Sequence, residues 1–354
     1  MEYKKYSKIL IFDGSHALHR SISEPHLWEM RNQKGERTGG VFGTLKTIYK
    51  ETKYYNYFPV VIFDGHLSKR RLNIFSNYKH YQDKQLLTES TEPQSEYAEL
   101  QQEQRAEYNR QREILKELLP AFGIPVIHLA DWEGDDLIYI LSCMTLDSIV
   151  VSDDKDLIQL IHNDGSRRCR VKRAMRNEFL DYKWFEENNM TQLEYVARKA
   201  LVGDPSDNIP SACFQVGEKT ALGLFELYNK TRNNNINFPT TDQELTEICK
   251  KYDIPKRKAY LNFDENQFLN NMLLVDLSLV EKEITEPLLN EINNIIDSQA
   301  GKIDNIKAAN ILDNLNIQVL DSIHLLTNSQ DKLPYLFDLN LANKEQPPQY
   351  QSLM

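Results

Sequence analysis

The sequence predicts an α/β fold with a doubly wound, mainly parallel sheet, and three observations carry that expectation. Four short apolar, β-branched runs read as buried strands: Lys8–Phe12, Val60–Phe63, Pro125–Ala130 and Ser148–Val151. Segments of helix length separate them, as parallel crossovers require. Each run ends in acid: Asp13, Asp64, Asp131 leading to Glu133-Gly134-Asp135-Asp136, and Asp153-Asp154-Lys155-Asp156. In an open α/β sheet the carboxyl ends of the strands line one crevice, so these carboxylates converge. Only bound cations make such a cluster tolerable at neutral pH, and oxygen-only ligands suit Mg²⁺ or Mn²⁺. The pattern points to metal-dependent phosphate chemistry.

Taken in order, residues 8–13 form the first strand and 40–57 a helix with Phe42, Leu45, Ile48 and Tyr49 at helical spacing. The second strand follows at 59–64. Residues 66–110 are polar, with tracts such as Gln101-Gln102-Glu103-Gln104-Arg105. That is too long for an ordinary loop in a compact domain, so the stretch is expected to be functional, mobile or both. A helix runs from Arg110 to Ala121 with Ile114, Leu115, Leu118 and Leu119 inward, and Gly123 closes it. Asp135–Met144 is the next helix, and 156–162 a short one after the fourth strand. Another helix spans Gln192–Leu201, breaks at Gly203-Asp204-Pro205 and resumes near Gly217 as far as Tyr228. An Asn/Thr-rich loop at 229–241 leads into helical spacing up to about residue 326, and Asn343–Met354 reads as a disordered tail.

At 354 residues the chain is expected to form one large domain with a smaller appendage. No apolar run reaches the length of about 18 residues that a membrane span needs. The charged start Met1–Tyr6 shows no secretory signal. Cys143, Cys169, Cys213 and Cys249 are scattered without metal-ligand or disulfide spacing, which suits a reducing cytoplasm. A net charge of −10 argues mildly against nucleic-acid binding. Local basic clusters qualify that average: Lys69-Arg70-Arg71, then Arg167, Arg168, Arg170, Lys172, Arg173 and Arg176. Basic surface beside an acidic crevice suits an enzyme that holds a polyanion while cutting it. The cluster at Lys250-Lys251 and Lys256-Arg257-Lys258 reads as a solvated face.

Each acidic motif has a plainer reading beside the functional one. Asp13 and Asp64 both follow Ile-Phe and precede Gly, which for one Asp alone means a cap or a turn. The acids of Glu133-Gly134-Asp135-Asp136 suit the start of a helix, but with Asp131 they exceed what capping requires. Asp154 and Asp156 can aim at one ion, and Asp204 and Asp207 either cap a Pro-rich break or bind metal.

In this order, over about residues 6–230, these motifs resemble the flap endonuclease and 5′-exonuclease family, including the 5′-nuclease domain of bacterial DNA polymerase I. The matching elements are Ile-Phe-Asp-Gly at Asp13, Phe-Asp-Gly at Asp64, Glu133-x-Asp135-Asp136, Ser152-x-Asp154-x-Asp156-Leu157 and Gly203-Asp204-x-x-Asp207-Asn208-Ile209-Pro210. Val216-Gly217-Glu218-Lys219-Thr220-Ala221 looks like the family's helix–three-turn–helix DNA-binding element. The segment 263–277 is similar in style to the T-even phage ribonuclease H of the same family.

The resemblance implies a PIN-like α/β core at 1–190 with a helical arch inserted at about 66–110. A helix–three-turn–helix element and helical C-terminal region would follow at 191–326, then a segment at 327–354. It implies metal-binding acids at Asp13, Asp64, Glu133, Asp135, Asp136, Asp154, Asp156, Asp204 and Asp207. Glu133, Asp135 and Asp154 would hold the tighter ion, and Asp156, Asp204 and Asp207 would reach the second, directly or through water. Asp153 or Asp154 matches the motif depending on register, and Asp154 is preferred. Lys79 of Tyr78-Lys79 would contact the scissile phosphate. Arg70, Arg71, Lys84, Gly217, Lys219 and Thr220 would bind nucleic acid, with K⁺ as a possible ion at the three-turn element. Two departures stand out: Gln82 replaces a basic residue, with Lys84 a substitute, and Gln215-Val216-Gly217 replaces Gly-x-Gly.

The implied activity is two-metal hydrolysis of DNA 5′ ends or flaps and of RNA primers on DNA, during replication, by a cytoplasmic monomer of a bacterium or phage-infected host. A non-catalytic replisome adaptor and a PIN-type RNA nuclease are the alternatives. An aspartyl-phosphate phosphatase would need an acid where Ser15 stands. A single-strand-binding protein or sliding clamp is a candidate partner. Gln330–Phe337 loosely resembles a clamp-binding peptide, although docking of that segment on its own core is favoured.

Overall fold

The computed structural model describes residues 6–79, 96–212, 243, 250, 264–317 and 320–339. In chain order its elements are β1 (Tyr6–Asp13), α1 (Gly14–Ser23), α2 (Pro25–Trp28), α3 (Gly39–Tyr54), β2 (Phe58–Ile62), α4 (Lys69–Ile74), α5 (Glu96–Ala121), β3 (Val126–Ile127), α6 (Gly134–Cys143) and β4 (Thr145–Val151). A 3₁₀ turn follows at Asp156–Leu160, then β5 (His162–Asn163), β6 (Arg168–Arg173), β7 (Glu178–Leu180), α7 (Lys183–Glu187), α8 (Gln192–Val202) and α9 (Glu265–Val275). After a second 3₁₀ stretch come α10 (Glu286–Gln299), α11 (Asn305–Asn314) and α12 (Leu320–Phe337).

Contacts divide the chain into two units, one formed from 1–66, 92–182 and 280–354 and the other from 67–91 and 183–279. The first holds the sheet, in the order β3-β2-β1-β4-β6-β5, with β7 also on β6. The strands β3, β2, β1, β4 and β6 are parallel, while β5 and β7 run antiparallel to β6. The chain leaves β1 to build β2 and β3 on one side, then returns to place β4 on the other. That makes the β1/β4 boundary the topological switch point, where open α/β sheets bind their ligands. Every residue of β1 is buried, which is why its run is apolar on both faces. Leu10, Phe12, Val61 and Val151 pack with Val41, Leu45 and Ile48 of α3 and Leu115, Leu118 and Leu119 of α5.

β6 was not expected, because its sequence is Arg-Cys-Arg-Val-Lys-Arg. Tertiary pairing accounts for it. Asp147 of β4 is buried and accepts hydrogen bonds from the Tyr57 hydroxyl (2.6 Å) and from Arg168 (2.6 Å), and it also pairs with Arg170. The Lys172 ammonium, buried in the strand, donates to Asn177 Oδ1 at 2.7 Å, and Arg173 pairs with Glu178 at 2.9 Å. The cluster expected to face a polyanion is thus largely spent inside the sheet.

Two further expectations change. α5 starts at Glu96 rather than Arg110, so part of the polar stretch is regular helix. The C-terminal helices belong to the first unit rather than with residues 191–279: α10 packs on β3, α11 on α5, and α12 on β1 and β2. The clamp-like segment is part of α12. Leu336 is fully buried, Lys332 donates to Asn56 Oδ1 (2.7 Å), and Ser329 donates to the Phe122 carbonyl (2.5 Å). This is the docked arrangement.

In the second unit α8 opens with a capping box. The Thr191 hydroxyl accepts from the Glu194 amide at 3.2 Å, and Glu194 accepts from the Thr191 amide at 2.6 Å. Val196, Ala197, Ala200 and Leu201 of α8 pack with Phe268, Leu274 and Tyr78. Arg70 and Arg71, expected to bind nucleic acid, donate to the last-turn carbonyls of α9: Arg70 to Leu273 (2.5 Å) and Arg71 to Leu274 (3.0 Å). Arg71 is buried there, so its charge answers the helix C-terminus. Lys84, Gly217, Lys219, Thr220, the expected K⁺ position, the loop at 229–241, Lys251, the basic run 256–258 and the tail from Asn343 lie outside the described residues.

Candidate active site

In the first unit the carboxyl ends of β1, β2 and β4 are in register, with Asp13 opposite Ile62 and Phe12 opposite Val151. Asp13 therefore sits at the switch point, with Asp64 two residues past its β2 partner and Ser152 just past β4. Asp13 is the N-cap of α1, so the plainer reading of this residue also holds: its Oδ1 accepts from the His16 amide at 2.9 Å. Its Oδ2 accepts from the Ser152 hydroxyl at 2.8 Å, and Ser152 Oγ in turn accepts from the Asp154 amide at 3.1 Å. One hydroxyl thus ties the ends of β1 and β4. Burial, followed by repulsion from Asp64 and Asp154, pushes the Asp13 carboxyl up to about 7 despite those hydrogen bonds.

Asp64 is held from two sides. Its amide donates to Ser15 Oγ at 2.9 Å, and its Oδ1 accepts from the Gly134 amide at 2.6 Å. A Cβ on Gly134 would lie 2.7 Å from that oxygen, so the close approach of β2 to the start of α6 needs glycine. Glu133 occupies the N-cap position of α6 but makes no side-chain cap hydrogen bond. Asp64, from another element, takes the first free amide instead. Glu133 and Asp136 are buried and Asp135 half-buried around that helix start. A cap hydrogen bond does not account for Glu133, while Asp135 and Asp136 lie in the first turn, where the helix dipole favours acids.

Asp153 and Asp154 are adjacent but aimed differently. Both oxygens of Asp153 lie 3.1 Å from the Met175 amide, and Arg20 approaches to 3.6 Å. Asp154 Oδ1 accepts from the Asp156 amide at 2.8 Å, and its charge is felt at Asp13. His19 stacks on Tyr108 of α5 with ring centroids 3.9 Å apart, and burial holds both His16 and His19 below the usual imidazole value. No three carboxylates within the first unit have ligand atoms within 4.8 Å of one another among the described residues.

In the second unit, Asp204 and Asp207 lie on the loop after α8. Gly203, at φ +76°, ends the helix, and a Cβ there would be 2.6 Å from the Ile209 carbonyl oxygen. Burial would raise the Asp204 carboxyl, but Lys199 at 3.1 Å and hydrogen bonds from Ser206 hold it below the usual carboxylate range. The Lys79 ammonium is 4.0 Å from Asp207 Oδ2, and the Tyr78 hydroxyl is 3.3 Å from the same oxygen.

The donor set at the strand ends is carboxylate oxygen throughout. A buried carboxyl raised by its like-charged neighbours is what a divalent cation relieves, so these residues fit Mg²⁺ or Mn²⁺. Sequence reading placed Ser152 and Gly134 inside acidic motifs and noted Ser15, but gave none of them a role in holding the carboxylates.

The family model described as 5′-3′ exonuclease, N-terminal resolvase-like domain, matches residues 8–190. The chain belongs to the 5′-3′ exonuclease family. As a member it is a metal-dependent nuclease. It is 29% identical over 299 residues to the 5′-3′ exonuclease of Buchnera aphidicola subsp. Schizaphis graminum, which covers 80% of this chain and 93% of that protein. The 5′-3′ exonuclease of Aquifex aeolicus is 27% identical over 297 residues, 80% of this chain and 89% of its own length. DNA polymerase I of Lactococcus lactis subsp. cremoris is 32% identical over 200 residues, 51% of this chain but only 21% of the polymerase. Among solved structures, the flap endonuclease of bacteriophage T5 in a product complex with DNA and metal ions superposes with a TM-score of 0.57 at 18% identity. The match spans 82% of this chain and 98% of that one, and it establishes the shared α/β fold. Among the described residues no helix is long and apolar enough to cross a membrane.

Proposed function

We propose that this 5′-3′ exonuclease homologue is a structure-specific 5′ nuclease. It would hydrolyse phosphodiester bonds at 5′ ends or flaps of DNA and in RNA annealed to DNA, serving primer removal in replication. The observation that carries the reading is the buried Asp13, set against Asp64 and Asp154 at the switch point and held only by neutral donors. The capping role accounts for the bond from the His16 amide but not for the like charges of Asp64 and Asp154 set around a buried carboxylate.

Glu133, Asp135 and Asp154 would hold the tighter ion, with Asp13, Asp64 and Asp136 beside them. Asp156, Asp204 and Asp207 would serve the second, directly or through water. The aim of Asp153 towards Met175 and Arg20 supports Asp154 as the ligand of that pair. Bound divalent ions would supply a water of lowered pKa and neutralise the leaving oxygen. Ser152, Ser15 and the Gly134 amide fix the carboxylates so that little reorganisation is needed when charge develops. Lys79 would place its ammonium on the scissile phosphate. The enzyme would work as a monomer in a bacterial or phage-infected cytoplasm, using Mg²⁺ with Mn²⁺ as a substitute.

The test uses two 5′-flap duplexes, labelled at either end of the flap strand, in Mg²⁺ and in EDTA. Metal-dependent cuts near the junction or stepwise loss from the 5′ end are expected. The Asp135→Asn, Asp154→Asn double variant should lose cleavage yet still bind the duplex in Ca²⁺. A double variant that cuts at the wild-type rate refutes the site.

A further inference from the structure

We propose that Asn208 is a positioning residue: its side chain clasps the turn that carries Lys79 onto the loop that carries Asp207, so that the phosphate-contacting ammonium and the acid move as one rigid piece. The inference rests on the roles given above to Lys79 and Asp207.

Three described residues of the second unit, Lys79, Asn189 and Asn208, occupy backbone territory that side chains with a Cβ rarely adopt, and the first and last of them meet. Lys79 has φ +52° and Asn208 φ +60°. For Asn208 this is tolerable, since asparagine is among the few residues that visit the left-handed region readily. For Lys79 it is not, and a strained residue of this kind persists only where its surroundings over-determine it. The surroundings are specific. The Lys79 amide donates to the Asp207 carbonyl at 2.9 Å. The Asn208 side-chain amide donates to the Asn77 carbonyl at 2.7 Å. Between these two bonds Tyr78 is buried, with its hydroxyl 3.3 Å from Asp207 Oδ2.

Residues 77–79 are therefore fastened to 207–208 through backbone at one end and the Asn208 side chain at the other. The loop itself is closed by the paired bonds between Asp204 and Ile209 (2.9 and 2.8 Å) and by the Asn208 amide on the Pro205 carbonyl (3.2 Å). From this closed loop the Asn208 side chain reaches across to a backbone carbonyl of the turn. With that donor gone, the Asn77 carbonyl loses the Asn208 bond and the left-handed turn at Lys79 loses its side-chain fastening to the loop backbone. The ammonium then swings from its place 4.0 Å from Asp207 Oδ2. Reacting groups misplaced by about 1 Å cost up to about 100-fold in rate.

The test compares the full-length protein with Asn208→Gly and Asn208→Asp, each alone and with Lys79→Ala, on a 5′-flap duplex in Mg²⁺. Gly keeps the left-handed backbone and deletes the donor, whereas Asp keeps the shape and offers an acceptor instead. Both are expected to lower kcat by about 10- to 100-fold with KM within about twofold, and to add no further loss in the Lys79→Ala background. If thermal melts show the Gly variant unfolded, the Asp variant alone decides. Wild-type kcat in the folded variants overturns the inference. So do losses that multiply with that of Lys79→Ala, because Asn208 would then act elsewhere. A Lys79→Ala enzyme that cuts at full rate overturns the Lys79 assignment itself, and this inference with it.

Discussion

Asp13→Asn should make the metal-free protein more stable and the enzyme inactive. The folded carboxyl ionises near pH 7 against 3.8 for the ordinary group, because it is buried and faces Asp64 and Asp154. The folded state thus binds a proton more tightly than the unfolded state, and stability falls as pH rises between those values. The loss amounts to about 4 kcal/mol, complete above about pH 7 and zero below about pH 4. Asparagine avoids the loss without a new defect. Its carbonyl can still accept from the His16 amide, and its amide can donate to the Ser152 hydroxyl, which now points onward. Urea unfolding in EDTA should show the variant ahead of wild type by about 2–4 kcal/mol at pH 8, with the gap closing towards pH 4. Mg²⁺ should stabilise wild type more than the variant at pH 8. A gap that is absent at pH 8, or equal at both pH values, would refute the account of Asp13 as a strained functional acid.

Three other substitutions probe separate parts of the argument. Gly134→Ala places a Cβ 2.7 Å from Asp64 Oδ1 and must push that carboxylate off the 2.6 Å bond. Flap cleavage should fall about 10- to 100-fold in a folded protein, and an unchanged rate would show the contact to be irrelevant. Asp147→Ala strands Arg168 and Arg170 in the sheet, so urea unfolding should show a loss of about 3–5 kcal/mol. A stability within error of wild type would contradict the buried-pair reading of β6. Arg71→Met removes the donor to the Leu274 carbonyl and should cost about 1–3 kcal/mol, while the salt dependence of DNA binding stays as it was. A fall of about one in the slope of log affinity against log salt would restore Arg71 as a phosphate contact.

Where the sequence was legible, the signal was local. β1 and β4 stand out because both faces of each are buried, leaving unbroken apolar runs, and the acids that follow mark the strand ends. The helix starts at Asp13, Thr191, Asp264 and Asp304 are caps written in one residue and its third neighbour. That was enough to place Asp13 and Asp154 at one sheet boundary. It did not distinguish metal binding from capping at Asp13, which does cap a helix, nor at Glu133, which does not.

What the sequence alone determined is the alternation of strand and helix and the acidic strand ends, because burial and capping act over a few residues. Only the tertiary structure decided which charges are spent. Arg168 and Arg170 neutralise an aspartate on the neighbouring strand, Arg71 answers a helix end some 200 positions away, and Asp153 turns to a hairpin rather than to Asp13. A charged side chain takes its role from whatever opposite charge or dipole folding brings within a few ångströms. That partner sits on a remote part of the chain, so no local pattern records it.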